Sequence, residues 1–233
     1  RAVDTRQDLA EAVDALGLPA ILKTRRFGYD GKGQARLSTQ EDQATAIADM
    51  AGQAAVLEGF ISFSKEISII GARNSAGDVA CFDPGVNIHQ AGILRTTTVP
   101  AQINATQRMD AVLLAAQIMN ALDYVGVMGV ELFVTGQYLI VNEIAPRVHN
   151  SGHWTQNGCA VDQFEQHIRA IANWPLADGS RHSNVTMTNL IGDDLNALEA
   201  LSSQAGTALH LYGKAEIKPG RKMGHYNSVR PKS

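Results

Sequence analysis

Residues 125–154 constrain the fold of this chain more than any other stretch of the sequence. Two apolar, β-branched runs, 125–134 and 138–144, flank a short polar loop that contains Gly136, and this pattern predicts a β-hairpin. If the turn is centred on Gln137, Glu131 lies directly opposite Glu143 on the paired strand. Opposed side chains in such a pair are about 5 Å apart, and like charges there are destabilising. The carboxylate pair therefore needs an explanation.

Two interpretations of this pair stay open from its spacing. A divalent cation between the carboxylates would offset their repulsion, and Mg²⁺ prefers oxygen ligands. Alternatively, both are solvated carboxylates on the wet face of a hairpin, which is the commoner situation. The polar run 145–154 that follows carries Arg147, His149 and His153, and loops at strand ends often present functional groups. Because Asn-Ser-Gly interrupts the helix of an HExxH zinc motif, the run favours anion recognition by Arg147.

Composition and charge exclude several classes of protein. A chain of 233 residues can bury a full core and form one or two domains. Its formal net charge of −3 gives no electrostatic case for binding nucleic acid, and we expect no membrane partner because no apolar run could span a bilayer. Cys81 and Cys159 form no disulfide framework and indicate a reducing cytoplasm with buried thiols. Because the chain begins with Arg1, we expect a fragment of a longer protein.

Two features near the N-terminus are candidates for phosphate binding. Lys23 ends the predicted strand 18–24, where a lysine either extends to water or points its ammonium group at phosphates. The glycine-rich run 28–34 predicts a tight, mobile turn whose N–H groups could contact phosphate oxygens. It matches neither the Walker motif nor the dinucleotide motif.

The rest of the pattern predicts alternating helices and strands. Asp4 or Thr5 caps a helix that ends at Gly17, and a capping box at Ser38 and Glu41 opens a helix that runs to about residue 51. Further strands are expected at 54–58, 66–72, 79–86, 93–99, 184–191 and 208–212, and helices at 105–122, 161–172 and 194–201. The helix 105–122 is expected to bury a stripe formed by Met109, Val112, Leu113, Ala116 and Met119.

Several blocks of the sequence resemble one family. In chain order they are LKTRRFGYDGKGQ, EGFISFSKEISIIGAR, NIHQAGILR, YVGVMGVELF, NEIAPRVHNSGHWTQNG and PGRKMGH. They resemble successive blocks of N5-carboxyaminoimidazole ribonucleotide synthetase, an ATP-grasp enzyme of purine biosynthesis. Other ATP-grasp ligases often carry Asn where this chain has Ala145, and this departure agrees with the resembled family.

The resemblance implies an α+β ATP-grasp fold, in which two subdomains sandwich ATP. Residues 1–58 would form the lid subdomain, 59–175 the metal-binding subdomain, and 176–233 the start of a small C-terminal domain. The family also has an N-terminal α/β domain, which nothing before Arg1 represents. Whether the fragment is active alone is therefore in question.

The resemblance also implies a ligand set. ATP would contact Lys23, Gly28, Tyr29, Asp30, Gly31, Lys32, Gly33, Gln34, Glu58, Gly59, Phe60, Ile61, Glu66, His89, Asn142 and Glu143. Mg²⁺ would be held by Glu131 and Glu143. The substrates 5-aminoimidazole ribonucleotide and bicarbonate would contact Tyr29, Asp30, Arg147, His149, Asn150, Ser151, Arg221 and Lys222. Asp30, Lys32, Arg147 and His149 would be catalytic.

By the same resemblance, the protein is expected to be a cytoplasmic homodimeric ligase. It would carboxylate 5-aminoimidazole ribonucleotide with ATP and bicarbonate, through carboxyphosphate. Two alternatives stay open. One is another ATP-grasp carboxylase or a formyl-phosphate-type transferase, and the other is a nucleotide-binding fragment without catalysis.

Overall fold

The structure, a computed structural model, describes residues 1–26 and 33–232. Within these residues the chain divides into two compact units. The first is drawn from Arg1–Ser62 and Ala91–Ile93, and the second from Phe63–Gln90 and Leu94–Ser233. No helix in the described ranges is long and apolar enough to cross a membrane.

The first unit is a small sheet covered by two helices. Its described elements are β1 (Ala2–Val3), α1 (Arg6–Leu16), β2 (Ala20–Thr24), β3 (Gln34–Leu37), α2 (Asp42–Asp49) and β4 (Ala55–Gly59). The strand order is β1-β4-β2-β3. Helix α1 begins where predicted, because the Thr5 side chain accepts from the Asp8 N–H and the Asp8 carboxylate accepts from the Thr5 N–H. Leu9 and Val13 of this helix pack with Leu22 and Leu57 of the sheet.

Two predictions for this unit were wrong. Gln34 belongs to strand β3, where it pairs with Lys23, and not to the glycine-rich loop. The predicted capping box at Ser38 and Glu41 does not form, since Glu41 makes no side-chain capping bond. Instead the Asp42 carboxylate accepts from the backbone N–H groups of Ser38 and Thr39. An acidic side chain at the start of α2 therefore orders the preceding turn.

The second unit is built on one large sheet. From residue 65 the strands are β5 (Lys65–Arg73), β6 (Val79–Cys81), β7 (Gly85–Gln90), β8 (Ile93–Val99), β9 (Gly126–Thr135), β10 (Tyr138–Ala145), β11 (Ser183–Ile191), β12 (Thr207–Leu211) and β13 (Lys222–Pro231). The helices are α3 (Ala105–Ala121), α4 (Thr155–Gly158), α5 (Gln163–Ile171) and α6 (Leu198–Ser202), with 3₁₀ turns at Asn150–Gly152 and Gly192–Ala197. The strand order is β10-β9-β5-β7-β8-β11-β13-β12, and β6 pairs with β5. Strands β11 to β13 thus continue the sheet that contains the hairpin, while the predicted subdomain boundaries stay predictions.

The segment 79–86, predicted as one strand, is two. Strand β6 ends at Cys81, β7 begins at Gly85, and Pro84 lies between them. Proline has no N–H to donate to a sheet, so it interrupts the ladder at this point.

The buried stripe predicted for α3 was also largely wrong. The helix buries Gln107, Ala111, Ala115 and Met119, whereas Met109 is 58% exposed and Leu113 is 50% exposed. A Cβ added at Gly71 of β5 would lie 2.9 Å from the Met119 sulfur and 3.9 Å from the Ala115 Cβ. The helix therefore turns Ala115 and Met119 toward Gly71, while Met109 and Leu113 lie outside this contact.

Candidate active site

The predicted carboxylate pair forms, but through a β-bulge rather than a regular register. The turn of the hairpin is two residues long, since Tyr138 pairs with Thr135, and this register would place Asn142 opposite Glu131. A shift in register between Val141 and Glu143 instead pairs Glu143 with Glu131. One extra residue on β10 thus lets Asn142 and Glu143 share a single partner on β9.

Glu131 is the more deeply placed of the two carboxylates. Its side chain is 13% exposed, and β9 is paired on both sides, with β5 and with β10. Burial raises the pKa of Glu131 from 4.5 to about 7, and the Glu143 carboxylate acts in the same direction. Glu143 lies on β10 and is exposed to solvent. Without a bound cation, Glu131 therefore holds a proton more tightly than an isolated carboxyl group does.

His149 lies beside this pair. Its Nε2 atom is 3.6 Å from Glu131 Oε1, and Ser151 binds its other ring nitrogen through both hydroxyl and backbone N–H, at 2.8 and 3.4 Å. Burial lowers the pKa of His149 to about 3, and the positive charge of Arg147 adds to this effect. The ring is therefore neutral at neutral pH, so its contact with Glu131 is not an ion pair. Because Nδ1 accepts from the Ser151 N–H, the ring proton belongs on Nε2, which suits donation to an anion.

Glu66 and His89 form an ion pair on neighbouring strands of the same sheet. Burial by itself lowers the pKa of His89, but its hydrogen bond with Glu66 and the negative charges of Glu66 and Glu131 leave the pKa raised. The positive charge that His89 carries when protonated lowers the pKa of Glu131 and so favours its ionised form.

The basic residues of the C-terminal region separate into two environments. Lys222 opens β13, and its positive charge lowers the pKa of Glu131, His89 and His149. The tail thus brings an ammonium group to the carboxylate site. Arg221 donates to the Glu216 carbonyl at 3.3 Å within its own turn, so its contact with substrate stays a prediction.

The loop after β10 presents Arg147 and buries its neighbours. The exposed Arg147 guanidinium donates to the Val148 carbonyl at 2.9 Å and forms no ion pair with any carboxylate in the described ranges. Asn150 exchanges two amide hydrogen bonds with Asn189 of β11, at 2.8 and 3.0 Å. Ser151 is buried beneath His149. Both side chains support the loop, and their contact with substrate stays a prediction.

In the first unit, the predicted phosphate ligand Lys23 is engaged with a second predicted residue. Its ammonium lies 2.7 Å from the Glu58 carboxylate on the adjacent strand. Gly59 ends β4, and the exposed Phe60 that follows carries the Arg36 guanidinium 4.4 Å from its ring centre. Gly33 and Ile61 are half-buried. Gly28, Tyr29, Asp30, Gly31 and Lys32 lie outside the described residues.

The donor set of the second unit fits Mg²⁺. Glu131 and Glu143 supply carboxylate oxygens, which this hard cation prefers, and a cation would remove the repulsion that raises the pKa of Glu131. Across the described ranges, no cluster of three or more His, Cys, Asp or Glu side chains could hold a metal. Two carboxylates are nevertheless enough, because Mg²⁺ usually completes its coordination with water and substrate phosphates.

Some site residues give little signal in a single sequence. Gly129 lies under His149, and a Cβ added there would be 2.8 Å from the His149 Cβ. Gln163 holds the same histidine through its main chain. Neither residue bears a charge, and each could equally belong to a core, so no sequence pattern separates them from structural residues.

The family models agree with this arrangement. The ATP-grasp domain model matches residues 1–164, and the model described as the phosphoribosylaminoimidazole carboxylase C-terminal domain matches residues 185–233. The chain therefore belongs to the ATP-grasp family, and the predicted α+β fold is confirmed.

Within that family, the relatives are N5-carboxyaminoimidazole ribonucleotide synthases, as the sequence blocks predict. The Brucella melitensis protein of that name is 50% identical, with 100% of this chain and 65% of the relative covered. A crystallised N5-carboxyaminoimidazole ribonucleotide synthetase in complex with ADP superposes with a TM-score of 0.92 at 39% identity, covering 99% of this chain and 62% of that one. The Aspergillus clavatus enzyme, crystallised with ADP and 5-aminoimidazole ribonucleotide, gives 0.91 at 31% identity, covering 98% and 62%. The chain thus spans less than two thirds of these relatives.

Proposed function

We propose that the protein containing this chain carboxylates 5-aminoimidazole ribonucleotide, using ATP and bicarbonate, to give N5-carboxyaminoimidazole ribonucleotide, ADP and phosphate. The observation that carries the proposal is the carboxylate pair with a neutral imidazole beside it, His149 Nε2 being 3.6 Å from Glu131. The ligands named for the Aspergillus clavatus relative, ADP and 5-aminoimidazole ribonucleotide, support the choice of nucleotide and acceptor.

The reaction proceeds in two displacements. An oxygen of bicarbonate bonds to the γ-phosphorus of ATP as the bond to ADP breaks, giving carboxyphosphate. The amine nitrogen of 5-aminoimidazole ribonucleotide then bonds to the carboxyl carbon, phosphate leaves, and the amine loses a proton. Such transfers depend on positioning and charge neutralisation more than on covalent catalysis.

The residues of the second unit would neutralise charge in two ways, by holding a cation and by contacting anions directly. Bound to Glu131 and Glu143, Mg²⁺ would supply charge neutralisation at the phosphates. The exposed Arg147 guanidinium can hold bicarbonate or its phosphorylated product through two parallel hydrogen bonds. His149 donates from Nε2, and Lys222 adds a positive charge at the same site.

In the first unit, we propose that Lys23 and Gln34 bind ATP phosphates, while Glu58, Gly59, Phe60 and Ile61 contact the base. Because Glu58 already holds Lys23 at 2.7 Å, ATP binding would exchange this ion pair for a contact between the ammonium and phosphate. The roles of Asp30 and Lys32 in catalysis stay predictions, as do the homodimer and the cytoplasmic location.

The test uses the protein as it is encoded, with any segments that flank residues 1–233. ADP release is measured with Mg-ATP, bicarbonate and 5-aminoimidazole ribonucleotide, and ¹³C-bicarbonate is followed into the product by NMR. We expect ADP release that requires both bicarbonate and the ribonucleotide, with ¹³C in a carboxylate group bonded to the amine nitrogen of the product.

Each rival function predicts a different outcome. ADP release with formate in place of bicarbonate would indicate a formyl-phosphate-type transferase. ADP release that depends on bicarbonate but not on 5-aminoimidazole ribonucleotide would indicate another carboxylase. Calorimetric binding of Mg-ATP without turnover under any condition would indicate a nucleotide-binding protein without catalysis.

A further inference from the structure

Helix α5 carries two glutamines that share the same chemistry but hold different loops. Gln163 and Gln166 are both fully buried, and each exchanges a pair of hydrogen bonds with the main chain of one other residue. The partner of Gln166 is Ala177, at 2.7 and 3.0 Å. The partner of Gln163 is His149, at 2.8 and 2.9 Å. Only Gln163 therefore bonds to a residue of the candidate site.

Gln163 binds both ends of the 3₁₀ turn Asn150–Gly152. Its Oε1 accepts from the His149 N–H, and its Nε2 donates to the His149 carbonyl before the turn. The second Nε2 hydrogen meets His153 Nδ1 at 2.9 Å, immediately after the turn. Both N–H groups of the buried Gln163 amide thus donate to this loop.

The surrounding packing leaves the loop little room to move. A Cβ added at Gly152 would lie 2.5 Å from Gln163 Oε1, so the main chain touches this side chain directly. On the other side, the His149 side chain lies against Gly129 of β9, two residues before Glu131 and on the same face of the strand. The imidazole is therefore fixed between a glutamine behind its main chain and a strand beneath its ring.

The hydrogen bond to His153 also defines the state of that ring. Because Gln163 Nε2 can only donate, His153 Nδ1 must accept, and this requires the neutral ring with its proton on Nε2. The His153 ring stacks between Phe164 and His225, with ring centres 5.6 and 4.7 Å away. The His153 ring, which stacks with two rings and accepts at Nδ1, therefore anchors the end of the 3₁₀ turn.

We propose that Gln163 is a positioning residue for the reaction, holding the main chain on both sides of the 3₁₀ turn so that the His149 imidazole stays against Glu131. This inference rests on the proposed function, in which His149 contacts bicarbonate or carboxyphosphate. Gln163 itself touches neither substrate. It acts by fixing a donor whose displacement by about 1 Å is enough to lower a rate on the order of 100-fold.

The test compares Gln163→Leu with Gln166→Leu in the protein as encoded. Both substitutions remove a buried amide from the same helix and leave one main-chain N–H and one carbonyl without their partner, and Gln163→Leu also leaves His153 Nδ1 without its donor. A purely structural role therefore predicts a somewhat larger loss in Tm for Gln163→Leu, but equal kcat values per folded molecule. We expect Gln163→Leu to lower kcat roughly 10- to 100-fold relative to Gln166→Leu, with KM for Mg-ATP unchanged within about twofold. Equal kcat values in the two variants would overturn the proposal.

Gln163→Glu provides a second variant if Gln163→Leu does not fold. The carboxylate keeps an acceptor for the His149 N–H and loses both donated bonds, so we expect an intermediate kcat. A kcat as low as that of a His149→Ala variant also supports the proposal, whereas an unchanged kcat contradicts it.

An NMR readout separates this proposal from the proposed function. If the unaltered protein makes no N5-carboxyaminoimidazole ribonucleotide, the proposed function fails. The positioning role is then judged on the His149 ring signals, which should shift in both Gln163 variants and remain in place in Gln166→Leu. Ring signals that are the same in all variants would overturn the positioning role whatever the activity.

Discussion

Replacing Glu143 by glutamine should make the metal-free protein more stable while it abolishes the reaction. Glutamine keeps the shape of the side chain at the bulge but removes the charge that faces Glu131. Most substitutions destabilise a protein, so a stabilising effect at a proposed metal ligand is a specific consequence of the carboxylate pair.

The magnitude follows from the pKa of Glu131. Burial, and after it the Glu143 carboxylate, raises this pKa from 4.5 to about 7. At about 1.4 kcal/mol per pH unit, the folded protein loses about 3 kcal/mol of stability from this group as pH rises from 4.5 to 7. The sign follows because the folded state binds more protons than the unfolded state in that window. Burial is the larger cause, so removing Glu143 should recover only about 1 kcal/mol, as for an opposed like-charge pair.

The assay is urea unfolding of the wild type and Glu143→Gln at pH 5 and pH 8, with EDTA present. We expect the variant to be more stable by about 1 kcal/mol at pH 8, with a smaller difference at pH 5, where Glu131 is protonated. Adding Mg²⁺ should stabilise the wild type more than the variant. A variant that is less stable than wild type at pH 8 would refute the proposed repulsion. Glu143→Asp serves as the control that keeps the charge.

Three further predictions test separate parts of the structure. Arg147→Ala should lower product formation roughly 10- to 100-fold, because a charge-assisted hydrogen bond contributes about 1.5–3 kcal/mol, and it should leave Mg-ATP affinity unchanged. Arg147→Lys should restore product formation only partly. Turnover and calorimetry measure the two quantities, and a parallel loss of ATP binding would contradict the role. Gly129→Ala should displace His149, lowering turnover on the order of 10- to 100-fold, and unchanged turnover would show that the contact relaxes. Asp42→Ala should lower Tm, while Glu41→Ala should leave Tm unchanged, since only Asp42 accepts hydrogen bonds from the turn before α2, and neither substitution should change the kinetics. Equal changes in Tm would contradict this assignment.

The parts of the site that could be predicted from sequence are those in which local pattern and charge coincide. Two apolar, β-branched runs predicted β9 and β10, and the opposition of two carboxylates in an apolar hairpin made a cation site one of two open interpretations. The predicted turn is centred on Gln137, whereas the observed turn has two residues and a bulge at Asn142 restores the opposition of Glu131 and Glu143. A three-residue turn with regular pairing and a two-residue turn with a bulge both place Glu143 opposite Glu131. The opposition of these carboxylates therefore does not reveal the length of the turn.

Other features depend on tertiary contacts that leave no periodic signal. The apolar spacing of α3 suggested a stripe through Met109 and Leu113, but the helix buries Ala111, Ala115 and Met119, and Gly71 on the sheet leaves room for the Met119 sulfur. The role of Gln163 likewise depends on a loop 14 residues away in sequence. A neutral amide can be identified as a support only when its partners are known.

The two carboxylates occupy positions of unequal freedom, and this difference gives them unequal parts in the proposed Mg²⁺ site. Glu131 is on β9, whose ladders to β5 and β10 fix its backbone on both sides, and its side chain is largely buried. Glu143 is on β10, which ends the strand order of the described sheet, and it remains exposed to solvent. Burial and the neighbouring Glu143 charge therefore raise the pKa of Glu131, whereas the Glu143 carboxylate keeps its contact with water. In the proposed site, Glu131 would therefore supply Mg²⁺ with a ligand on a fixed strand, and Glu143 would supply a ligand with more freedom.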